Sequence, residues 1–168
     1  MAKWTESDLS AQLNRAISSG WITFFDDAAK QNGFDTEFLL AIASRETNIR
    51  NIKGDFRGGV YHGFGIMQVD IGTDPEFCAT WTPGHVEGSI QCGTKILGEK
   101  RDSLAANSIT DLKAIAAAYN AGARHVIQSV KSGLDPDRTT TGHDYGSDVI
   151  ARRAVFVKLR SMPAGSGD

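Results

Sequence analysis

Phe38-Leu-Leu-Ala-Ile-Ala-Ser-Arg-Glu46 is followed, after a short gap, by Gly54-Asp-Phe-Arg-Gly-Gly-Val-Tyr-His-Gly-Phe-Gly-Ile-Met-Gln-Val-Asp70. The first run holds no Gly or Pro and is apolar up to Ser44, which predicts a helix with a buried face. Leu39, Ile42 and Glu46 fall at i, i+3 and i+7, so Glu46 shares a stripe with apolar side chains. The second run sets β-branched and aromatic residues between glycines and reads as a small β-hairpin or irregular sheet. Three acids, Glu46, Asp55 and Asp70, lie in this window and could face one cleft. The fold class read from it is mostly α (α+β): a helical bundle with a small hairpin or irregular sheet beside a cleft.

The flanking chain is helical. Thr5-Glu-Ser-Asp8 is a helix start, and Leu9, Leu13, Ile17 and Trp21 then recur at fours. Ser19-Gly20 breaks that helix, and Trp21 to Lys30 forms a second, ended by Asn32-Gly33. Asp35 or Thr36 caps the helix that carries Glu46, which stops near Asn48. Pro75 and Pro83 flank a loop with Trp81, and a long helix runs from about His85 to Leu104. Thr110 or Asp111 caps the next, where Leu112, Ile115, Ala116 and Tyr119 form a stripe and Gly122 suits a left-handed end. Ala123 to Lys131 is a short helix, Leu134 to Gly142 a polar loop, and Tyr145 to Arg160 a last helix with Val149, Ile150, Ala154, Val155 and Leu159 inward. One domain is expected over 1–168, with an N-terminal helix in 1–20, a core in 21–160 and a flexible tail in 163–168.

Composition narrows the function classes. The 168 residues are 40% hydrophobic and 23% charged, with net charge -2, which argues against a nucleic-acid binder and against cationic membrane attack. No apolar run reaches the ~18 residues of a membrane span. The start, Met1-Ala-Lys-Trp-Thr-Glu-Ser-Asp8, has no apolar signal region. Action where the chain is made, release at lysis, and removal of a signal all stay open. Cys78 and Cys92 are compatible with one disulfide, worth about 3 kcal/mol in the chain-entropy model, and equally with two free thiols. Neither has a CxxC or CxxH partner, so no metal is expected, and no cofactor.

Glu46 is the acid with a physical reason for special chemistry. Burial disfavours its charged form and the negative end of its helix pushes the same way, so its pKa should rise. A carboxyl kept protonated near neutral pH is what a glycosidase general acid requires. Arg45 points about 100° around the helix and need not pair with it. Asp55, in a glycine-rich loop, and Asp70, after a short apolar run, are the candidate second carboxylates. Taken singly, each acid has a plainer reading: a helix-end salt bridge, a turn aspartate, a strand-end cap. Tyr119 on a core stripe, His62 in the hairpin segment and His143-Asp144-Tyr145 at a helix start have plain structural readings too.

The motifs together point to a family. Ala43-Ser-Arg-Glu46, Gly54-Asp55, Gly63-Phe-Gly-Ile-Met-Gln-Val-Asp70, Ala118-Tyr-Asn-Ala-Gly122, His143-Asp-Tyr145, Asp148-Val149 and Ala151-Arg152, in this order, resemble the goose-type lysozymes. The more distant lytic transglycosylases share the glutamate, the Gly-Ile-Met-Gln and the Ala-Tyr-Asn-Ala-Gly segments. The resemblance implies a lysozyme-like fold and hydrolysis of the β-1,4 bond between N-acetylmuramic acid and N-acetylglucosamine in peptidoglycan. It implies Glu46 as the catalytic acid, with Asp70 and Asp55 positioning water in an inverting reaction. It implies a sugar cleft lined by Gln68, Tyr119, Asn120 and Tyr145, with Phe64 and His62 nearby. Thr47 and Asn48 depart from the residues usual there, and the segment from Asp55 to Gly63 is longer.

The implied partner is the glycan strand of the bacterial wall, met by a monomer outside the cell or after lysis, without nucleic acid or membrane insertion. A lytic transglycosylase giving 1,6-anhydro products is the alternative, and a non-catalytic wall-binding module a third reading.

Overall fold

The computed structural model describes residues 4–162. Eight α-helices surround one another in the order α1 (Glu6–Ser18), α2 (Trp21–Asn32), α3 (Thr36–Thr47), α4 (Pro75–Thr80), α5 (Val86–Ala105), α6 (Leu112–Ala121), α7 (Ala123–Lys131) and α8 (Tyr145–Ser161). Between α3 and α4 lie three antiparallel strands, β1 (Lys53–Arg57), β2 (Val60–Phe64) and β3 (Val69–Asp70), in the sheet order β1-β2-β3. The mostly helical α+β class follows.

The core is built around α3. Every residue from Phe38 to Ser44 is buried, so this helix is enclosed on all sides rather than on one stripe. It packs against α8, α2 and α1. Leu9 and Ala16 of α1 are fully buried in the same cluster as Leu39, Ile115 and Phe156, so the N-terminal helix belongs to the core and is not a separate piece. Helix α6 packs on α5, α7 and α8. Its Ala114–Ala118 run is buried throughout, a wider face than the expected stripe.

Local chemistry explains most boundaries. Thr5 and Asp8 close a reciprocal capping box on α1. Asp35 and Asp111 cap α3 and α6 by accepting the amides of Phe38 and Ala114. The hairpin turns at Gly58-Gly59, whose φ values of +58° and +81° are what a two-residue primed turn demands, with Arg57 opposite Val60.

Five expectations need correction. Ile17 is 52% exposed, because the inward face of α1 runs through Leu9, Gln12, Leu13 and Ala16, and Gly20 at φ +74° separates α1 from Trp21, which opens α2. The segment after Pro75 is not a loop but α4: Asp74 accepts the amide of Phe77, and Pro75 occupies a first-turn position where a missing N–H costs nothing. Gly122 has φ +87° and ψ +142°, outside the left-handed helical region, because it joins α6 directly to α7. The polar segment 134–142 holds the 3-10 turn Pro136–Thr139 with a buried aspartate, Asp137, and begins a second, Thr141–His143. On α8, Ala154 is exposed and Phe156 is fully buried, so the inward face is rotated from the one read by hydrophobicity. The expected flexible tail, 163–168, lies outside the described residues.

Candidate active site

Glu46 is the penultimate residue of α3, two residues after the buried run. The helix ends abruptly. Asn48 and Ile49 both have positive φ, +53° and +56°, a costly backbone state for a β-branched residue. The turn is held by Ile49 N donating to Ala43 O and Asn48 N to Ser44 O, and by the burial of Ile49. Thr47 Oγ1 donates toward Ile66 O at 2.9 Å and accepts Arg50 N at 3.1 Å. The helix end and the Gly65-Ile-Met-Gln segment are thereby tied together.

The Tyr145 hydroxyl donates to Glu46 Oε1. Part of Glu46 reaches solvent, but its carboxyl is enclosed, and that desolvation pushes its pKa up to about 7. The Tyr145 hydrogen bond and the Arg45 charge pull the other way without cancelling it. Burial raises Tyr119 and Tyr145 well above the ordinary phenol range, and the Glu46 charge adds to both. Both phenols therefore stay neutral donors.

Arg45, the cation next in sequence, is directed away. Its guanidinium pairs with Asp148 at 2.9 Å and Asp144 at 3.0 Å, and stacks 5.4 Å from the Tyr145 ring centroid. Asp148 also receives Arg152 at 2.7 Å and the Trp4 indole at 2.7 Å. Arg152 continues to Ser44 Oγ at 2.7 Å, and Ser44 to Gln12 at 2.6 Å. This polar network braces the back of α3 against α1 and α8, every member paired. Sequence reasoning missed it as a unit. The i, i+4 spacing of Asp148 and Arg152 was the available signal.

A cavity of about 290 Å³ opens beside the sheet, lined by Gln68, Asp70, Tyr119, Asn120, Ile96 and Lys100 among others. Four sequence-predicted site residues thus converge. Gln68 has φ +51°, and its carboxamide donates to Ile52 O and Gly65 O. Gly54 and Gly63 face each other across β1 and β2 to make room for it, since a Cβ on either would lie 2.2 or 2.3 Å from Gln68 Oε1. Tyr119 donates to Met67 O at 2.8 Å. Asp70 is exposed at the end of β3, with Gly72 N donating to its Oδ1 at 2.8 Å. Asn120 Oδ1 accepts Thr141 N at 2.8 Å.

Other expected site residues lie elsewhere. Asp55 is not in a loop but within β1, exposed at φ +50° and paired with Arg57 at 3.3 Å, and it does not line this cavity. Phe64 is 7% exposed and packs on Trp81, Val69, Cys78 and Ile96, so it is core. Tyr145 is 2% exposed and spends its hydroxyl on Glu46 rather than on an open wall. His62 is half-buried in β2, where its carbonyl accepts Ile71 N. Of the two states left open for the cysteines, the structure has the free thiols. Burial pushes Cys78 up to about 11 and Cys92 up to about 12, with the Asp74 charge adding to each. Among the described residues no group of three His, Cys, Asp or Glu could hold a metal, and no helix is long and apolar enough to cross a membrane.

Glu46 does not line this cavity, but Tyr119, which does, feels the Glu46 charge. The family profile described as Lysozyme g matches residues 8–160. The chain belongs to the lysozyme g family. It is 30% identical over 159 residues to a "Lysozyme g" of Takifugu rubripes, covering 89% of this chain and 80% of that protein. It is 31% identical over 131 residues to a "Lysozyme g" of Epinephelus coioides, covering 71% and 66%. This member of the lysozyme g family is accordingly a glycoside hydrolase, and peptidoglycan is the substrate its family implies.

Proposed function

We propose that this chain is an N-acetylmuramidase that cleaves the β-1,4 bond between N-acetylmuramic acid and N-acetylglucosamine with inversion. Glu46 is the general acid. The observation that carries the reading is its carboxyl: enclosed, held by Tyr145, and with a pKa of about 7 that keeps it protonated in neutral or mildly acidic solution. It gives its proton to the glycosidic oxygen as the bond to the anomeric carbon breaks. The Tyr145 hydroxyl then stabilises the carboxylate left behind.

Asp70 takes the second role, accepting a proton from the water that attacks the opposite face of the sugar. Its exposure and its place in the cavity with Gln68, Tyr119 and Asn120 support this. An inverting reaction needs two carboxyls far enough apart to admit water, about 6.5–9.5 Å. Asp55, ion-paired on the hairpin, is the weaker candidate for that water. Gln68 and Asn120 offer amide groups, and Tyr119 an aromatic edge, to the sugar rings. The enzyme acts on the cell wall outside the cell or once lysis exposes it.

Digestion of purified peptidoglycan with mass spectrometry of the products tests the reading. Reducing muramic acid ends are expected. Ends carrying 1,6-anhydromuramic acid would instead mean that the sugar's own 6-hydroxyl replaces water, as in a lytic transglycosylase. Asp70→Asn should slow hydrolysis far more than Asp55→Asn, and equal losses would overturn the assignment of Asp70 over Asp55.

A further inference from the structure

Helix α8 is not capped by the residue before it. Asp144 makes no side-chain cap bond, and its carboxylate goes to Arg45 at 3.0 Å. The first amides of the helix find partners further upstream. Tyr145 N donates to Thr140 Oγ1 at 3.3 Å. Gly146 N and Ser147 N donate to the two carboxylate oxygens of Asp137 at 2.6 and 2.9 Å, and Ser147 Oγ donates to the same group at 2.7 Å. Thr140 Oγ1 in turn donates to the Asp137 carbonyl at 2.9 Å. Asp137 is 2% exposed, so this acid sits inside the protein as a remote cap on the positive end of α8.

The seat is tight. A Cβ at Gly146 would lie 2.5 Å from Lys113 O of α6 and 2.9 Å from Asp137 Oδ1. The charged groups that face Asp137 are Lys113 Nζ of α6, at 3.8 Å, and Asp135 of its own turn, which takes the same lysine at 2.7 Å. Tyr145 is the first residue of this seated turn; its ring is buried in the core with Arg45 stacked on it. Its hydroxyl reaches Glu46 from there.

We infer that Asp137 is a positioning residue for the reaction: by fixing the first turn of α8 it holds the Tyr145 hydroxyl on Glu46. The inference rests on the reading of Glu46 as the general acid. The groups facing Glu46 are Arg45 of α3, Tyr145 of α8 and Tyr119 of α6, with Asp144 and Asp148 of the α8 side acting on it through Arg45.

The sign of one measurement separates positioning from a plain charge effect. Removing a negative charge would ease ionisation of Glu46 and lower the alkaline limb of the pH–rate profile. Loosening the Tyr145 hydrogen bond, which favours the carboxylate, would raise it. Asp137→Asn, Tyr145→Phe and the double variant, in the full chain, are compared by hydrolysis of soluble peptidoglycan strands across pH. In Asp137→Asn, kcat should fall roughly ten- to a hundredfold with KM little changed. Its alkaline limb should move up as in Tyr145→Phe, and the double variant should move no further. A limb that stays or falls in Asp137→Asn while rising in Tyr145→Phe overturns the inference and leaves Glu46 standing. Activity retained in Glu46→Gln overturns both. Should Asp137→Asn fail to fold, Ser147→Ala removes one donor from the same carboxylate; a smaller upward movement supports the inference and an unmoved limb contradicts it.

Discussion

The Tyr145 hydroxyl and the Glu46 carboxyl, separated by 99 residues of chain, meet as donor and acceptor at the end of α3. Burial makes the acid weak, and the phenol limits how weak it becomes. An acid of this strength gives and loses a proton at neutral pH. Above its pKa the general acid is absent, so kcat/KM should fall as pH rises through about 7. Tyr145→Phe removes the bond that favours the carboxylate, and the fall should shift to higher pH. Initial rates on peptidoglycan suspensions across pH 5 to 9, about two units either side of that pKa, check both statements.

The same burial costs stability. Glu46 ordinarily titrates near 4.5 and here near 7, so the folded chain holds its proton more tightly than the unfolded one. The benefit is complete below pH 4.5 and is lost as pH rises through 7. The linkage amounts to about 3 kcal/mol. Glu46→Gln, neutral at every pH, should melt with the parent at about pH 4 and about 6–12 °C above it at about pH 8. Calorimetry at the two pH values decides, and a pH-independent difference would contradict the burial argument.

Gly63 leaves room for the Gln68 carboxamide. A methyl at that position meets Gln68 Oε1 at 2.3 Å and its Cβ at 3.4 Å, so the side chain must swing out and give up its bonds to Ile52 O and Gly65 O. Gly63→Ala should cost about 1–3 kcal/mol in denaturant unfolding and raise KM for glycan strands. Unchanged KM would show that Gln68 does not touch the sugar.

The cysteines should be inert. With thiol pKa values of about 11 and 12, roughly one part in a thousand or less of each is thiolate at pH 8. Iodoacetamide should label neither Cys78 nor Cys92 in the folded protein, and both after unfolding. Melting should not respond to reductant. Rapid labelling of the native protein would contradict the burial of this cluster.

Much of this was legible from the residues. Capping side chains at Thr5, Asp35 and Asp111 act on their neighbours in sequence, so the helix starts could be read directly. The glycine-rich run read as a small hairpin or irregular sheet, and the structure puts its turn at Gly58-Gly59. Glu46 on an apolar stripe announced its raised pKa, because desolvation follows from burial whatever the partner. What sequence left hidden is long-range. Asp137 is one acid in a polar stretch until folding sets two α8 amides against it. Arg45 finds Asp144 and Asp148 only when α8 crosses α3. The inward face of α8 was misread because Arg152 is buried by its ion pairs, which hydrophobicity counts as outward.

Glu46 as the proton donor is the step on which the proposed hydrolysis depends. The most direct measurement is release of reducing ends from purified peptidoglycan by Glu46→Gln, with binding to the insoluble wall measured alongside. Binding like the parent's is expected, with release reduced by at least about a thousandfold. Release at the parent rate by a variant with no acid at this position would contradict it.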